Sequence, residues 1–334
     1  MGARSMLSVV IFWASVVATP AVQAEAIVSP SGFAVVELFT SEGCSSCPPA
    51  DEVLSSIART AEREDLAVYP LEWHVDYWDY LGWTDPFDSR FATERQYAYA
   101  RALPSSVYTP QMVLNGAIVP EYAGDTGAVN AAVRSLLKLR AAGTLRIRII
   151  PAGAQSIRVH VDVDQTFGDS VLLLVVTEDG LSATPTAGEN AGRRLMHSSV
   201  VRSVRVLSAE TTEAQMDVPS GVQSERASLI GIVQERKTMR ILGAARAALP
   251  RVSNARIIGR VVDSKGTGIG GVRIKACSGV VCVPSATDAN GFFVFSGLAP
   301  GRYSIAFVGH SSVVEIVVKG GQVVTLRQPL LFKE

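Results

Sequence analysis

Glu37-Leu-Phe-Thr-Ser-Glu-Gly-Cys44-Ser-Ser-Cys47-Pro-Pro49 joins an apolar run, Phe33 to Phe39, to a helix-like stretch, Ala50 to Glu64. The run has the length and composition of a buried strand, and Val53, Leu54, Ile57, Ala58 and Ala61 recur at helical spacing. A CxxC pair between a strand and a helix is placed for redox chemistry. Backbone N–H groups and the dipole at a helix start stabilise a thiolate, and the two-residue spacer lets the second thiol reach the first across one turn. Cys44 then reads as the nucleophile that attacks a disulfide, and Cys47 as the thiol that resolves the mixed disulfide. Pro48 and Pro49 lack N–H donors, which weakens the stabilisation available to Cys44. The Ser45-Ser46 dipeptide leaves the direction of electron flow open.

Outward from this stretch, Leu66 to Tyr77 reads as a strand and Ser89 to Leu103 as a helix. Gln111 to Leu114 is a strand, Asn115-Gly116 a hairpin turn, Ala117 to Val119 its return, and Gly127 to Leu139 a closing helix. This order describes an α/β thioredoxin-like domain over residues 33–142. From Thr144 the period becomes two: Leu145, Ile147 and Ile149 alternate with arginines, and Ile157, Val159, Val161 and Val163 with polar residues. Ser170–Thr177, Val200–Val206 and Ala227–Val233 are further strands, so residues 143–250 read as an antiparallel β-sheet or sandwich segment. Ile241 to Leu249 is Ala-rich and reads as a last helix ended by Pro250. Residues 254–334 alternate short strands with strong turns, the pattern of a small all-β sandwich domain.

Lys plus Arg equals Asp plus Glu, 31 against 31, which gives no electrostatic basis for binding nucleic acid or anionic lipid. Arg4, the apolar stretch Met6–Thr19 and Val22-Gln23-Ala24 form a signal-peptide pattern over residues 1–24, cleaved after about Ala24. That stretch is too short to favour a span, and no later segment reads as one, so stable membrane insertion is not expected. The expected location is periplasmic or secreted. In an oxidising compartment, Cys277 and Cys282 read as a structural disulfide closing a small loop.

Val36 to Asp51, Trp73-His-Val-Asp-Tyr-Trp-Asp-Tyr-Leu-Gly-Trp83 and Tyr108-Thr-Pro-Gln-Met112 resemble the exported thioredoxin-like family catalogued as domain of unknown function 1223. Glu189-Asn-Ala-Gly-Arg-Arg-Leu-Met-His197 and Val200-Val-Arg202 suit the same family, and the resemblance spans about Phe33 to Leu249. Gly259 to Asp263, Asp288 to Phe292 and Leu298 to Tyr303 resemble the carboxypeptidase regulatory-like domain, a transthyretin-like β module. The thioredoxin-like resemblance implies a cis bond at Thr109–Pro110, facing the CxxC, with the backbone before it docking an extended substrate. It also implies an acid in the strand before the CxxC that manages the resolving thiol's proton. Glu37 is the candidate, seven residues before Cys44, which requires a bulge; the alternative is an exposed strand-end glutamate. Gly43 stands where thioredoxins usually carry tryptophan.

His74 and Asp76 on one strand face could serve a metal or a proton relay, but read better as satisfied anchoring groups; His197 and Arg202 likewise. Trp78, Tyr80 and Trp83 read as packing of a long loop. No metal is assigned and no cofactor is needed, since the cysteines carry the electrons. Three functions stay open: a thiol–disulfide oxidoreductase with protein thiols or disulfides and an unidentified redox partner, a Cu(I)-handling protein, or an envelope binding or structural protein with an inert Cys44–Cys47 bond.

Overall fold

The computed structural model describes residues 24–27, 32–141, 143–152, 155–163, 168–250, 255–279, 281–298, 301–309, 312–319 and 322–332. The expected signal peptide, 1–24, lies outside these but for Ala24. The chain is mostly β, in several sheets. Its first part runs β1 (Ala24–Ile27), β2 (Ala34–Thr40), α1 (Pro48–Arg63), β3 (Val68–His74), a 3₁₀ turn (Asp76–Leu81), α2 (Arg90–Ala102), β4 (Gln111–Leu114) and α3 (Thr126–Leu137). It continues with β5 (Leu145–Pro151), β6 (Ser156–Val163), β7 (Ser170–Glu178), β8 (Leu181–Ala183), β9 (Leu195–His197), β10 (Val200–Ser208), β11 (Glu213–Asp217), β12 (Ala227–Glu235) and β13 (Ile241–Ala248).

Every residue of β2 is buried, because both faces of the strand are covered. Ala34, Val36 and Leu38 pack with Ala50, Leu54 and Ile57 of α1 and Val129 and Val133 of α3. Val35 and Phe39 point the other way, into a core with Trp73, Tyr99 and the strands after residue 143. Ser89 and Asp125 start α2 and α3 by accepting from the N–H of Ala92 and Ala128. α1 starts at Cys47 without a side-chain cap.

Seven strands form one sheet in the order β13-β12-β7-β10-β3-β2-β4. Pairings β2–β3 and β3–β10 are parallel, the others antiparallel. Residues 33–142 and 143–250, read from sequence as separate segments, therefore share a sheet and a core. The seam is Val200 beside Glu72, where Glu72 N–H donates to the Ser199 carbonyl at 2.9 Å. A second sheet, β1-β5-β6-β11, buries Ile147, Ile149, Val159 and Val161 in that core.

Three local expectations are corrected. Ile241–Leu249 is not a helix: Ile241–Ala248 is β13, paired antiparallel with β12. Its alanines fit a crowded contact between sheets, where a Cβ at Gly231, opposite Ala245, would meet Ile147 Cγ2 at 3.1 Å. Ala117–Val119 makes no strand, only a single bridge from Ile118 to Leu114. Asn115 and Gly116 do turn with positive φ (46° and 67°), and a Cβ at Gly116 would lie 1.9 Å from the Met239 carbonyl oxygen. No bulge occurs in β2 either, which pairs with β3 in unbroken register from Ala34 to Thr40.

The last part forms two further sheets. One holds β14 (Ala255–Val262), β17 (Phe292–Leu298), β20 (Val323–Thr325) and β21 (Leu330–Leu331). The other holds β15 (Arg273–Ser278), β16 (Val281–Ala286), β18 (Gly301–Phe307) and β19 (Ser312–Val318). Ile257, Phe293 and Phe295 of the first meet Ile274, Ile305 and Phe307 of the second in one core.

Candidate functional site

Cys44 and Cys47 form a disulfide where the loop after β2 enters α1. Cys47 N–H donates to Cys44 O at 3.2 Å, and Ala50 N–H to Cys47 O at 2.9 Å, so the helix begins on the second cysteine. Thr109–Pro110, whose peptide bond is cis, lies just before β4. Gln111 pairs with Phe39, so Pro110 stands at the end of β2 from which the CxxC loop departs. Trp78 ties the two segments together: its Nε1 donates to Thr109 Oγ1 at 2.8 Å, and a Cβ added to Gly43 would lie 3.0 Å from Trp78 Cβ. A glycine before the first cysteine thus makes room for a tryptophan supplied from elsewhere in the chain.

The disulfide is closed over. Cys44 is 1% and Cys47 0% exposed. The turn around Gly188–Asn190 does the covering. Asn190 Nδ2 donates to the carbonyls of Glu42 (2.9 Å) and Cys44 (2.8 Å), and Glu189 Oε2 accepts from Ser45 N–H at 2.9 Å. Gly188 packs against the Gly43 backbone. The hydroxyl of exposed Ser46 lies 3.4 Å from Cys44 Sγ.

Glu37 is fully buried, not an exposed strand-end residue, and it is fully engaged. Arg95 donates to both carboxylate oxygens (2.5 and 2.9 Å), Trp73 Nε1 donates to Oε2 at 2.9 Å, and the Tyr99 hydroxyl donates to Oε1. The Arg95 guanidinium carbon lies 5.3 and 5.1 Å from the centroids of the Trp73 and Tyr99 rings. Burial disfavours the Arg95 cation, but the Glu37 carboxylate reverses this and holds its pKa above the ordinary arginine value. A carboxylate held this way is a structural anchor between β2, β3 and α2.

Asp51 has the properties expected of a proton acceptor. It lies one helical turn after Cys47, is 5% exposed, and accepts from Thr40 Oγ1 at 2.7 Å. Burial, then the nearby Glu72 charge, push its pKa up to about 7.

Beneath the CxxC loop lies a buried cluster of imidazoles and carboxylates. His74, the last residue of β3, pairs with Asp85 (Nδ1 to Oδ2, 2.7 Å), while Asp76 turns away to Thr93. His197, the last residue of β9, pairs with Glu72 (Nδ1 to Oε1, 2.7 Å). The two rings meet edge to face at 4.8 Å, with Phe87 against both. Burial opposes the His197 cation, but Glu72 and Glu42 raise its pKa to about 9; burial likewise opposes the His74 cation, and Asp85 and Glu72 hold its pKa well above 6.5. Glu72 is pushed up by burial and pulled down further by His197, to about 2. Arg202 pairs with Glu178 at 3.0 Å and lies over Phe87. Trp83 Nε1 donates to Glu42 Oε2 at 2.7 Å, and Tyr80 is exposed.

Cys277 and Cys282, directly opposite on the β15–β16 hairpin, form the second disulfide. No free cysteine occurs among the described residues. None of their helices is long and apolar enough to cross a membrane.

Residues 35–234 match the family described as protein of unknown function DUF1223. The chain belongs to this family. Residues 256–330 match the carboxypeptidase regulatory-like domain. Among solved structures, the chain is similar to protein AGR_C_4864 from Agrobacterium tumefaciens, at 26% identity and TM-score 0.46, covering 67% of this chain and 97% of that one. It is also similar to HBP35 of Porphyromonas gingivalis, at 15% identity and TM-score 0.49, covering 87% and 99%. No curated protein matches. The family segments quoted from the sequence are thus the residues that build and cover the disulfide and the cluster beneath it.

Proposed function

We propose that this is an exported thioredoxin-like thiol–disulfide exchange protein in which Cys44 and Cys47 are the redox couple. The supporting observation is their bonding at the junction of β2 and α1, with Thr109–Pro110 at the same sheet end. In the oxidised protein, a substrate thiolate attacks Cys44 Sγ, the Cys44–Cys47 bond breaks, and the electron pair leaves on Cys47. A second substrate thiolate then attacks the substrate sulfur of the mixed disulfide and releases Cys44 as thiolate. The substrate dithiol is oxidised by two electrons and the protein is reduced; run backwards, the protein reduces a disulfide. Asp51 exchanges the Cys47 proton, the role the sequence suggested for Glu37. The covering turn, held by Asn190 and Glu189, moves aside to admit the substrate. Its partners are protein thiols or disulfides and a redox protein that resets the couple. Disulfide exchange with a scrambled or reduced protein substrate tests this: Cys44→Ser falls to background, and a Cys44→Ser variant as active as wild type overturns it.

A second reading is supported by the burial of both cysteines. In it the bond is inert and the protein binds or braces other envelope components. An Asn190→Ala variant separates the two. Loosening the turn accelerates reduction by glutathione if the couple works, and leaves a structural bond unreduced.

A further inference from the structure

The seam between β3 and β10 brings together side chains that no local motif unites. Glu72 and His74 lie on β3, His197 ends β9, and Glu42 and Asp85 come from the loops after β2 and after the 3₁₀ turn. His74 Nε2 is buried without a hydrogen-bond partner, its nearest carboxylate oxygen being Glu72 Oε1 at 3.4 Å. A buried polar atom left unpaired is costly, so this one, aimed at a carboxylate and a second imidazole, calls for an occupant. One oxygen or nitrogen each from Glu72, His74 and His197 lie within 4.8 Å of one another, all in buried residues.

We propose that Glu72, His74 and His197 form a binding site for a borderline divalent transition-metal ion of the zinc type. His74 offers Nε2, His197 offers Nδ1 and Glu72 offers Oε1. Metal–ligand bonds of about 2.0–2.2 Å set tetrahedral ligand atoms roughly 3.3–3.5 Å apart. His74 Nε2 and Glu72 Oε1 stand at 3.4 Å; loading releases to solvent the proton that His197 Nδ1 shares with Glu72 Oε1 across 2.7 Å and opens that pair by about 0.7 Å.

The surroundings match what metal-bound histidines require. Such a ligand commonly gives its other ring N–H to a carboxylate, which fixes its orientation. His74 Nδ1 faces Asp85 at 2.7 Å, and Asp85 is itself held by the N–H groups of Glu42 and Phe87 at 2.9 Å. His197 Nε2 faces Glu42 Oε1 at 3.2 Å, and Glu42 is held by Trp83. Glu72 Oε2 accepts from Ser198 N–H at 2.9 Å. Each of the three is therefore backed by a second group. Two imidazoles and a carboxylate suit zinc or ferrous ion, are poor for calcium or magnesium, and lack the sulfur that Cu(I) favours. The site is separate from the cysteine couple, which is oxidised and offers no thiolate.

The full chain, produced with zinc in the medium and kept oxidised, is expected to carry one zinc per chain by elemental analysis. Substitution with cobalt gives visible d–d absorption without thiolate-to-metal charge transfer. His74→Gln and His197→Gln lose the metal, and Cys44→Ser/Cys47→Ser keeps it. Should the histidine variants fail to fold, Asp85→Asn, which removes only the support behind His74, lowers cobalt affinity about 10–100-fold. The proposal is overturned if wild type carries no stoichiometric zinc and takes up no cobalt, if binding survives His74→Gln, or if it vanishes with the two cysteines.

Discussion

The two disulfides look alike in sequence, each a pair of cysteines close in the chain with two or four residues between them, yet their settings differ. Cys277 and Cys282 face each other across an antiparallel hairpin, half-buried and exposed respectively, in strands already held by the β15–β16 ladder. Cys44 and Cys47 are buried where a strand hands over to a helix, above Asp51, Glu72, His74 and His197. Exposure alone would call the hairpin bond the reactive one. The chemistry around each bond argues the reverse, because ionisable groups are costly to bury and few folds keep several without a use.

The comparison breaks or sharpens most sharply in exchange assays. Cys44→Ser removes disulfide exchange by orders of magnitude, whereas Cys277→Ser/Cys282→Ser leaves the rate unchanged; equal losses would erase the distinction. Next comes the scaffold. Arg95→Met strands the Glu37 carboxylate in the core and destabilises by about 3–5 kcal/mol in urea unfolding. Arg302→Met, whose partner Glu315 is exposed near the hairpin, changes stability by at most about 1 kcal/mol.

Asp51 gives the pH test. Its folded pKa, about 7, lies above the unfolded value, so the folded protein binds the proton more tightly between roughly pH 4 and 7. Its contribution to stability therefore declines as pH rises through that window. Asp51→Asn, which keeps an acceptor for Thr40, flattens the slope, so the variant gains on wild type by on the order of 4 kcal/mol between pH 4 and pH 8. The same variant slows exchange about 100-fold if Asp51 handles the Cys47 proton. A modest effect is expected at the hairpin: reducing Cys277–Cys282 costs about 2 kcal/mol or less, since the loop it closes is short.

Much of the frame was legible in the sequence. The strand, the CxxC and the helix carry strong local signals in apolar run length, spacing and 3.6-residue periodicity, and α1, α2 and α3 lie within a few residues of the helices the sequence suggests. The misreadings had physical causes. Ala244, Ala245, Ala247 and Ala248 favour a helix by propensity, but the narrow gap beneath β12 and β13 selects small residues in a strand. For Glu37 the resemblance offers a redox acid and the bare sequence an exposed strand-end glutamate, and only the tertiary fold brings it Arg95, 58 residues away. His197 had no visible partner because Glu72 is 125 residues distant. The charged cluster is assembled by the β3–β10 seam, a contact without local sequence signal; the nearest clue was the separate family segment ending at His197.

The central claim is that Cys44 and Cys47 are a working couple. Its most direct test is their reduction potential, measured by equilibration with glutathione buffers and thiol alkylation in a chain with Cys277 and Cys282 replaced. A potential between about −120 and −270 mV is predicted, within the range of working oxidoreductases. A value well below about −300 mV would mark a structural bond and contradict the account.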